Sequence, residues 1–242
     1  MSISTTTVKL LLFILVALPS GPLGPSGPLG PSLMGGPVRV QATGNRAAEM
    51  SEDATYRYYF INEKFIVSHQ EVLIDGEGRG RYRFKKRDME EMTLDFKVSP
   101  RVLGEIRGLI DQLAFLSTEE SFQHKKDFSH LGTMSIRIRR GTREREASFN
   151  YTDNTLMNQL VQIFRGLTVQ ENRIFEMELV RATDPISMPA QLRFLEGELK
   201  SRSIADPPRF RPMLTELKSD ESVPLIARNH AERLLQMIEK SK

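Results

Sequence analysis

The sequence predicts an α+β protein, in which an antiparallel sheet of about four to six strands packs on an amphipathic helix and a helical C-terminal region follows. Three observations support this fold class. Apolar and polar residues alternate between residues 56 and 98, apolar residues recur at helical spacing from 102 to 113, and helical spacing returns after Tyr151. A period of two is typical of half-buried strands, and a period near 3.6 is typical of helices.

The first predicted strands are clearest in two runs. Tyr82 and Phe84 alternate with basic residues at positions 81, 83 and 85, and Leu94, Phe96 and Val98 alternate with polar residues. Aromatic and β-branched residues in this pattern indicate strands with one buried face. Glycines at positions 76, 78 and 80 mark a turn or a bulge between two strands.

The sheet should be followed by a helix over residues 99–115. Ser99 is a typical N-cap, and Pro100 is accommodated in the first turn, where its missing N–H has no helical partner. One face of this helix is apolar and should lie on the sheet. Its members are Val102, Leu103, Ile106, Leu109, Ile110 and Leu113.

The stretch MSIRIRRGTREREASFNY predicts a β-hairpin with Gly141 and Thr142 as a two-residue turn. This turn fixes the register of four cross-strand pairs. Arg139 then faces Glu144 and Arg137 faces Glu146 on the solvent side, while Ile136 faces Ala147 and Met134 faces Phe149 on the core side. Such pairs contribute roughly 0.2–1 kcal/mol each. The pairing with glutamates accounts for the arginines of this hairpin without a nucleic-acid partner.

The chain after Tyr151 is predicted to be helical over residues 156–167 and to continue as helix through residues 170–181 until Asp184-Pro185. Another helix is predicted over about residues 189–200, with a break at Asp206-Pro207-Pro208. The tail RPMLTELKSDESVPLIARNHAERLLQMIE resembles one HEAT repeat, a helix–turn–helix unit. The resemblance implies that Asp220 caps the turn and that Arg228 braces it. It rests on Pro212, Leu214, Leu217, Asp220, Arg228, Ala231, Leu234, Leu235 and Ile238. A second copy is not found, and an ordinary terminal helical hairpin is the alternative.

Residues 56–180 as a whole resemble uncharacterised exported bacterial proteins, which have strands, an amphipathic helix, a charged hairpin and more helices in this order. This resemblance implies export and an α+β fold, and it implies no activity.

The N-terminus predicts export. The run LLLFILVAL (residues 10–18) is too short to span a bilayer, which takes about 20 residues, but it fits the apolar region of a signal peptide. The following GPLGPSGPLGPS (residues 21–32) belongs to a hexad duplication. It is too short for a stable collagen helix and should be an extended spacer. An uncleaved N-terminal anchor is the alternative to cleavage.

The predicted organisation is therefore a signal peptide (residues 1–18), a Gly/Pro-rich and polar disordered segment (19–55), an α+β domain (56–168) and a helical region (169–242). The periplasm or the cell surface is the expected location.

With no cysteine in the sequence, disulfides and thiolate chemistry are excluded. Two of the 34 basic residues, Lys9 and Arg39, lie in residues 1–42, which contain no acidic residue. The rest of the chain has 32 basic and 31 acidic residues, so its net charge is small and nucleic acid is not an expected partner.

One basic surface is a candidate interaction site. It comprises Arg79, Arg81, Arg83, Lys85, Lys86 and Arg87. The interleaved aromatics Tyr82 and Phe84 should face the core, so this stretch differs from a nucleic-acid-binding strand with stacking bases. The ridge could meet an anionic glycan, a lipid headgroup or an acidic protein, or it could simply protect a strand from edge-to-edge pairing.

Other polar clusters are better explained as loops. His124, Asp127 and His130 are zinc- or copper-type ligands, but their spacing suits neither a strand face nor a helical pair, so a solvated loop is predicted. The stretch DGEGRG (residues 75–80) lacks the ligand series of a calcium loop and does not open a helix, as a phosphate loop would. The acids at 88, 90 and 91 should be solvated, so they make a poor acid–base pair.

The sequence has no metal-protease, P-loop or serine-hydrolase motif, and no cofactor or metal site is predicted. We therefore expect a non-catalytic binding or scaffolding module with a protein partner. Two alternatives stay open: an envelope hydrolase whose site is dispersed along the chain, and a structural surface protein tethered by the Gly/Pro segment.

Overall fold

The computed structural model describes residues 54–87 and 89–240. The predicted signal peptide and almost all of the Gly/Pro-rich segment lie outside these residues. The described residues form six strands, β1 (Ala54–Ile61), β2 (Val67–Asp75), β3 (Arg79–Lys86), β4 (Met92–Lys97), β5 (Thr133–Arg140) and β6 (Arg143–Phe149). They also form five α-helices, α1 (Pro100–Gln112), α2 (Thr155–Thr183), α3 (Met188–Lys200), α4 (Arg211–Ser219) and α5 (Leu225–Lys240).

The six strands make one sheet in the order β4-β3-β2-β1-β5-β6, and each neighbouring pair is antiparallel. The predicted α+β class is therefore confirmed. Strand β1 lies inside the sheet between β2 and β5, so the chain leaves β4, forms α1 and returns to pair with its first strand. This long-range pairing joins the two hairpin regions into one sheet.

One face of the sheet is apolar and buried, as the alternation predicts. The buried aromatic and aliphatic side chains on this face are Tyr56, Tyr58, Phe60, Val72, Ile74, Tyr82, Phe84, Phe96, Met134, Ile136, Ile138 and Phe149. Together with the buried residues of α1 and of α2 up to Leu167, they form the cluster that we call the sheet core. The opposite face is covered by no helix of the described chain and is called the open face.

Helix α1 confirms the predicted cap and stripe. The Ser99 hydroxyl accepts a hydrogen bond from the Val102 N–H at 3.4 Å, and Pro100 is the first helical residue. The helix ends at Gln112, three residues earlier than predicted, because Ala114 adopts a φ of +47° that cannot continue a right-handed helix. All six residues of the predicted stripe are buried.

The predicted register of the β5–β6 hairpin is confirmed in all four pairs. Gly141 has a φ of +57° in the turn, a conformation in which glycine carries no steric penalty. The Ser135 and Ser148 hydroxyls are bonded across the open face at 2.6 Å. Local turn chemistry and cross-strand pairing therefore fix this hairpin.

Helix α2 is a single helix of 29 residues that packs into two cores. The Asn154 side chain caps it by accepting a hydrogen bond from the Met157 N–H at 3.0 Å. Its later buried residues, Ile174 and Met177, belong to a second cluster formed with α3, α4 and α5, the helical core. Residue 168, where the sequence analysis divides the domains, lies within this helix. Within residues 54–87 and 89–240, no helix is both long and apolar enough to cross a membrane.

The predicted C-terminal helical hairpin is formed by α4 and α5, which pack together. Asp220 closes the turn, because its Oδ1 accepts hydrogen bonds from the Ser222 N–H at 3.0 Å and the Ser222 hydroxyl at 2.6 Å. Its Oδ2 accepts from Arg181 Nε of α2 at 2.8 Å. These bonds lower the pKa of Asp220, the Ser222 hydroxyl most strongly. Arg181 thus contacts the turn aspartate, whereas the Nε of Arg228, the residue expected to brace the turn, is buried without a hydrogen-bond partner.

Gly132 generates a test of the β1–β5 junction. Its φ is +90°, and a Cβ there would lie 2.7 Å from the Ile61 carbonyl oxygen. Left-handed strain of about 1–2 kcal/mol and overpacking of about 1–3 kcal/mol should combine. We expect Gly132→Ala to lower the free energy of unfolding in urea by at least about 2 kcal/mol. Gly197→Ala, a change into open space on α3, should instead raise it by about 0.5–1 kcal/mol. Equal effects of the two changes would contradict the close approach.

Candidate functional site

The open face carries registered rows of charged side chains. The central row crosses all six strands in the order Asp95, Arg81, Leu73, Arg57, Arg137 and Glu146. A neighbouring row runs through Thr93, Arg83, Glu71, Tyr59, Ser135 and Ser148. Successive side chains of a strand point to opposite faces of the sheet. The residues before and after each of these residues therefore face the core. The open face is therefore a direct consequence of the period-two pattern.

The six predicted basic residues are divided among three places. Arg79, Arg81, Arg83 and Lys85 occupy alternate positions of β3 and lie on the open face. Lys86 is out of phase with them and pairs with Glu176 of α2. Arg87 follows the strand and donates from Nη2 to the Lys64 carbonyl at 2.9 Å. The stretch is thus not one ridge, and four of its members form the part that faces the open side.

Glu71 organises the centre of the open face. This glutamate is buried, and it accepts hydrogen bonds from Arg57 and Arg83 on the two neighbouring strands, with Arg83 Nε at 2.6 Å. One carboxylate therefore holds two guanidinium groups in fixed positions. Arg57 also lies over the Tyr59 ring, 5.7 Å from its centroid. Arg81 is held less firmly, because its 3.2 Å contact with Asp95 joins two exposed side chains.

The open face has an excess of positive charge. Within the described strands, its basic side chains are Arg57, Arg79, Arg81, Arg83, Lys85, Lys97, Arg137 and Arg139, and its acidic ones are Glu71, Asp75, Asp95, Glu144 and Glu146. Leu73 lies among them with 40% of its surface exposed. A shallow depression of about 470 Å³ surrounds Leu73, with Arg79, Arg81, Asp75 and Asp95 at its rim.

The β2–β3 connection is a tight turn, one of the two predicted possibilities. Asp75 Oδ1 accepts hydrogen bonds from the backbone N–H groups of Glu77 and Arg79 at 2.9 Å each, and its Oδ2 accepts from Arg79 Nε at 2.6 Å. Burial alone would raise the pKa of Asp75, but these hydrogen bonds outweigh it and lower the pKa. Both carboxylate oxygens of Asp75 therefore accept hydrogen bonds from within the turn.

A second concave region lies beside Lys86. This cleft of about 460 Å³ is bounded by the ends of β2 and β3 on one side and by α2 and α3 on the other. Ile66 and Phe194, exposed by 74% and 58%, lie at its walls. Arg173 binds Glu198 through two hydrogen bonds of 2.7 and 3.0 Å and lies over the Phe194 ring at 5.1 Å. The charges of the cleft are therefore paired with one another.

The predicted histidine loop lies at the surface, with His130 exposed and His124 half-buried. His124 Nε2 lies 3.0 Å from an Asp153 carboxylate oxygen, and its ring packs against Phe128 and Tyr151. Asp127 instead accepts hydrogen bonds from Ser129 N–H and Asn150 Nδ2. Nowhere in residues 54–87 and 89–240 do three or more histidine or acidic side chains come together to hold a metal ion.

One serine–histidine contact occurs outside the predicted clusters. The Ser68 hydroxyl and His69 Nδ1 are 2.9 Å apart on β2. Nucleophilic catalysis also needs a group that orients the histidine ring. No described carboxylate is hydrogen-bonded to His69, so a three-membered relay is not formed there. Asp88, one of the acids considered as an acid–base pair, lies outside the described residues, and its neighbours Glu90 and Glu91 are exposed.

No protein-family model matches the sequence, and a comparison with curated proteins found no match either. The resemblances to a HEAT repeat and to exported bacterial proteins stay predictions.

Sequence reasoning missed the two features that organise these surfaces. Glu71 precedes Val72 in β2 and belongs to no local motif, since its two arginine partners are 14 and 12 residues away. The cleft joins residues from β2, β3, α2 and α3, which no local pattern brings together. The one signal available was charge balance, because a buried strand position occupied by a glutamate needs a cation nearby.

The double ion pair of Glu71 can be tested by stability. Glu71→Gln leaves two arginines without their shared acceptor, so we expect the free energy of unfolding to fall by about 1–3 kcal/mol. Asp95→Asn, which removes an exposed partner of Arg81, should cost less than about 1 kcal/mol. Urea unfolding of both variants in the same buffer measures the difference. If the two losses are equal, Glu71 does not organise the face.

Proposed function

We propose that this protein is an exported, non-catalytic binding module that engages an acidic region of a protein partner through the open face of its sheet. The observation that carries this proposal is the excess of basic side chains on a six-stranded face that no helix of the described chain covers. Two of the arginines are fixed by Glu71, so their positions are set before a partner arrives. Pre-positioned charges lose less conformational entropy on binding and increase the rate of association.

The mixed character of the face favours a protein over a uniform polyanion. Asp75, Asp95 and Glu146 lie among the arginines and would repel an unbroken series of sulfates or phosphates. Leu73 and Tyr59 add apolar surface between the charges. Interface centres are enriched in arginine and tyrosine, and complementary mixed charges determine which partner binds. An acidic protein segment with interspersed apolar residues matches this pattern.

The C-terminal hairpin supports a role in protein contacts. We propose that α4 and α5 form a single HEAT-like unit, since Asp220 occupies the turn in the manner that the resemblance implies. In this chain Arg181 of α2, not a residue of the hairpin, braces that aspartate. This contact holds the hairpin against α2.

Export is the second part of the proposal, and it is supported by the apolar run Leu10–Leu18. A signal h-region of this length supports export to the periplasm or the cell surface. The absence of cysteine is compatible with this location, because the two hydrophobic cores provide stability without disulfides.

Binding is tested with a fluorescent synthetic peptide in which Glu residues alternate with Leu and Tyr. We expect binding that weakens with salt, and we expect Arg81→Glu/Lys85→Glu to reduce affinity at least about tenfold. The control Arg193→Glu/Arg233→Glu changes the net charge equally at exposed positions of α3 and α5 and should keep wild-type affinity. Fluorescence anisotropy at several salt concentrations measures both.

Two results would oppose the proposed surface. Equal losses in both double variants would mean that net charge, not the open face, determines binding. Binding of heparin or of anionic phospholipid vesicles without binding of the peptide would assign the face to a glycan or a lipid.

Export has its own test. Protein purified from its native cells should be found in the envelope or extracellular fraction and should lack residues 1–18, because the signal peptidase removes the apolar run. Mass spectrometry of the intact protein and of its N-terminal peptide measures this. A full-length chain in the cytosol would contradict export and leave the binding proposal standing.

A further inference from the structure

A short connecting segment crosses α2 where its buried residues pass from the sheet core to the helical core. We call residues 204–210, which lead from α3 to α4, the strap. Gly166 of α2 lets the strap approach closely, since a Cβ there would lie 3.0 Å from the Ala205 nitrogen. Gln170 Oε1 accepts a hydrogen bond from the Asp206 N–H at 2.9 Å. Arg101 of α1 donates to the Ala205 carbonyl at 2.7 Å, so three elements converge on the strap.

A buried carboxyl group lies at this crossing. Glu171 is only 2% exposed, and its Oε1 accepts one hydrogen bond, from Gln170 Nε2 at 2.8 Å. The nearest cation is Arg209 of the strap, whose Nε is 3.9 Å from the same oxygen and is buried with no hydrogen-bond partner. An ionised carboxylate with one hydrogen-bond donor and a cation at 3.9 Å that is not hydrogen-bonded to it is poorly stabilised, since a buried charge needs both pairing and hydrogen bonds.

The surrounding charges do not correct this deficit. From β3, the buried hydroxyl of Tyr82 accepts a hydrogen bond from Asn172, and burial raises the pKa of Tyr82, so it stays neutral. Glu178 on α2 adds a like charge, and Asp206 is turned to Arg101 at 3.4 Å. Burial is accordingly the main cause that raises the pKa of Glu171, while the hydrogen bond from Gln170 and the charge of Arg209 oppose it.

We propose that Glu171 is a proton-controlled latch: its protonated form lets the strap lie against α2, and its ionisation loosens the strap. The geometry gives the direction. A neutral carboxyl group beside the single donor Gln170 has no charge to desolvate, whereas a buried carboxylate must gain water or draw in the Arg209 side chain. Either response displaces residues that now fill the crossing. The Gln170 amide is hydrogen-bonded both to the Glu171 carboxyl group and to the strap backbone. Movement of the carboxyl group therefore changes the position of the strap.

The sign of the pH dependence follows from the raised pKa of Glu171. The folded state holds this proton more tightly than the unfolded state, so the stabilising contribution is present at acid pH. It is lost as the pH rises from the ordinary glutamate value through the raised folded value. The strap should therefore be held more firmly in mildly acid conditions than in neutral or alkaline ones.

Hydrogen exchange followed by mass spectrometry tests the latch on the whole chain. After correction for intrinsic exchange, peptides covering residues 204–210 should exchange at least about three times faster at pH 8 than at pH 5 in the wild type. Glu171→Gln, an isosteric neutral side chain, should abolish this difference and keep the slow rate. Glu171→Asp keeps a carboxyl group and should keep the difference, as should Glu178→Gln, which removes an exposed carboxylate of the same helix.

The latch is overturned if the strap of the wild type exchanges equally at both pH values. It is also overturned if Glu171→Gln shows the wild-type difference, because another group would then control the strap. The wild-type measurement needs no variant, so a folding defect in Glu171→Gln would not remove the test.

Discussion

Burial of one face of the sheet against α1 and the first half of α2 is the constraint on which the rest of the molecule depends. The aromatic residues of β1 and β3 supply much of this core, with the Tyr58 and Phe164 rings stacked 5.5 Å apart and Tyr82 and Phe84 at 5.0 Å. Because successive side chains of a strand point to opposite faces, burial of these residues puts the intervening arginines and acids on the open face. The charged open face is thus a consequence of the apolar core, and its register cannot shift without exposing the aromatics.

Helix α2 extends this constraint to the C-terminal half. Its first turns belong to the sheet core and its later turns to the helical core, so both cores are built on one continuous rod. Polar contacts lie where apolar packing changes from one core to the other. Gln170 and Glu171 occupy this position, and the strap is tied to them rather than to apolar residues. Because one helix contributes buried residues to both cores, no flexible linker separates them. Buried polar groups lie where the strap crosses this helix, between the two cores.

Local patterns were sufficient for much of the fold. The β5–β6 register followed from a two-residue turn and four compatible pairs, and the cap and stripe of α1 followed from Ser99, Pro100 and helical spacing. The order of the strands did not follow, since β1 pairs with β5 across about 80 residues of sequence. The continuation of α2 as helix up to Asp184-Pro185 was predicted from the sequence, but the change of its buried residues from one core to the other was not. The ion pairs of Glu71 and Glu171 were harder still to predict, because their arginine partners are distant in sequence and only the tertiary fold brings them close.

The stretch Arg79–Arg87 shows why a run of like charges is a poor description of a surface. Residues 79, 81, 83 and 85 share the open face, while Lys86 lies on the opposite side, over the Phe175 ring and beside Glu176. A partner on the open face therefore cannot contact Lys86, and a ligand in the cleft cannot contact Arg81 or Arg83. The two surfaces share a strand but are separated by the thickness of the sheet. Tyr82 lies on the core side of the same strand, where its hydroxyl accepts a hydrogen bond from Asn172 of the cleft and lies near enough to Glu171 for the two groups to interact electrostatically.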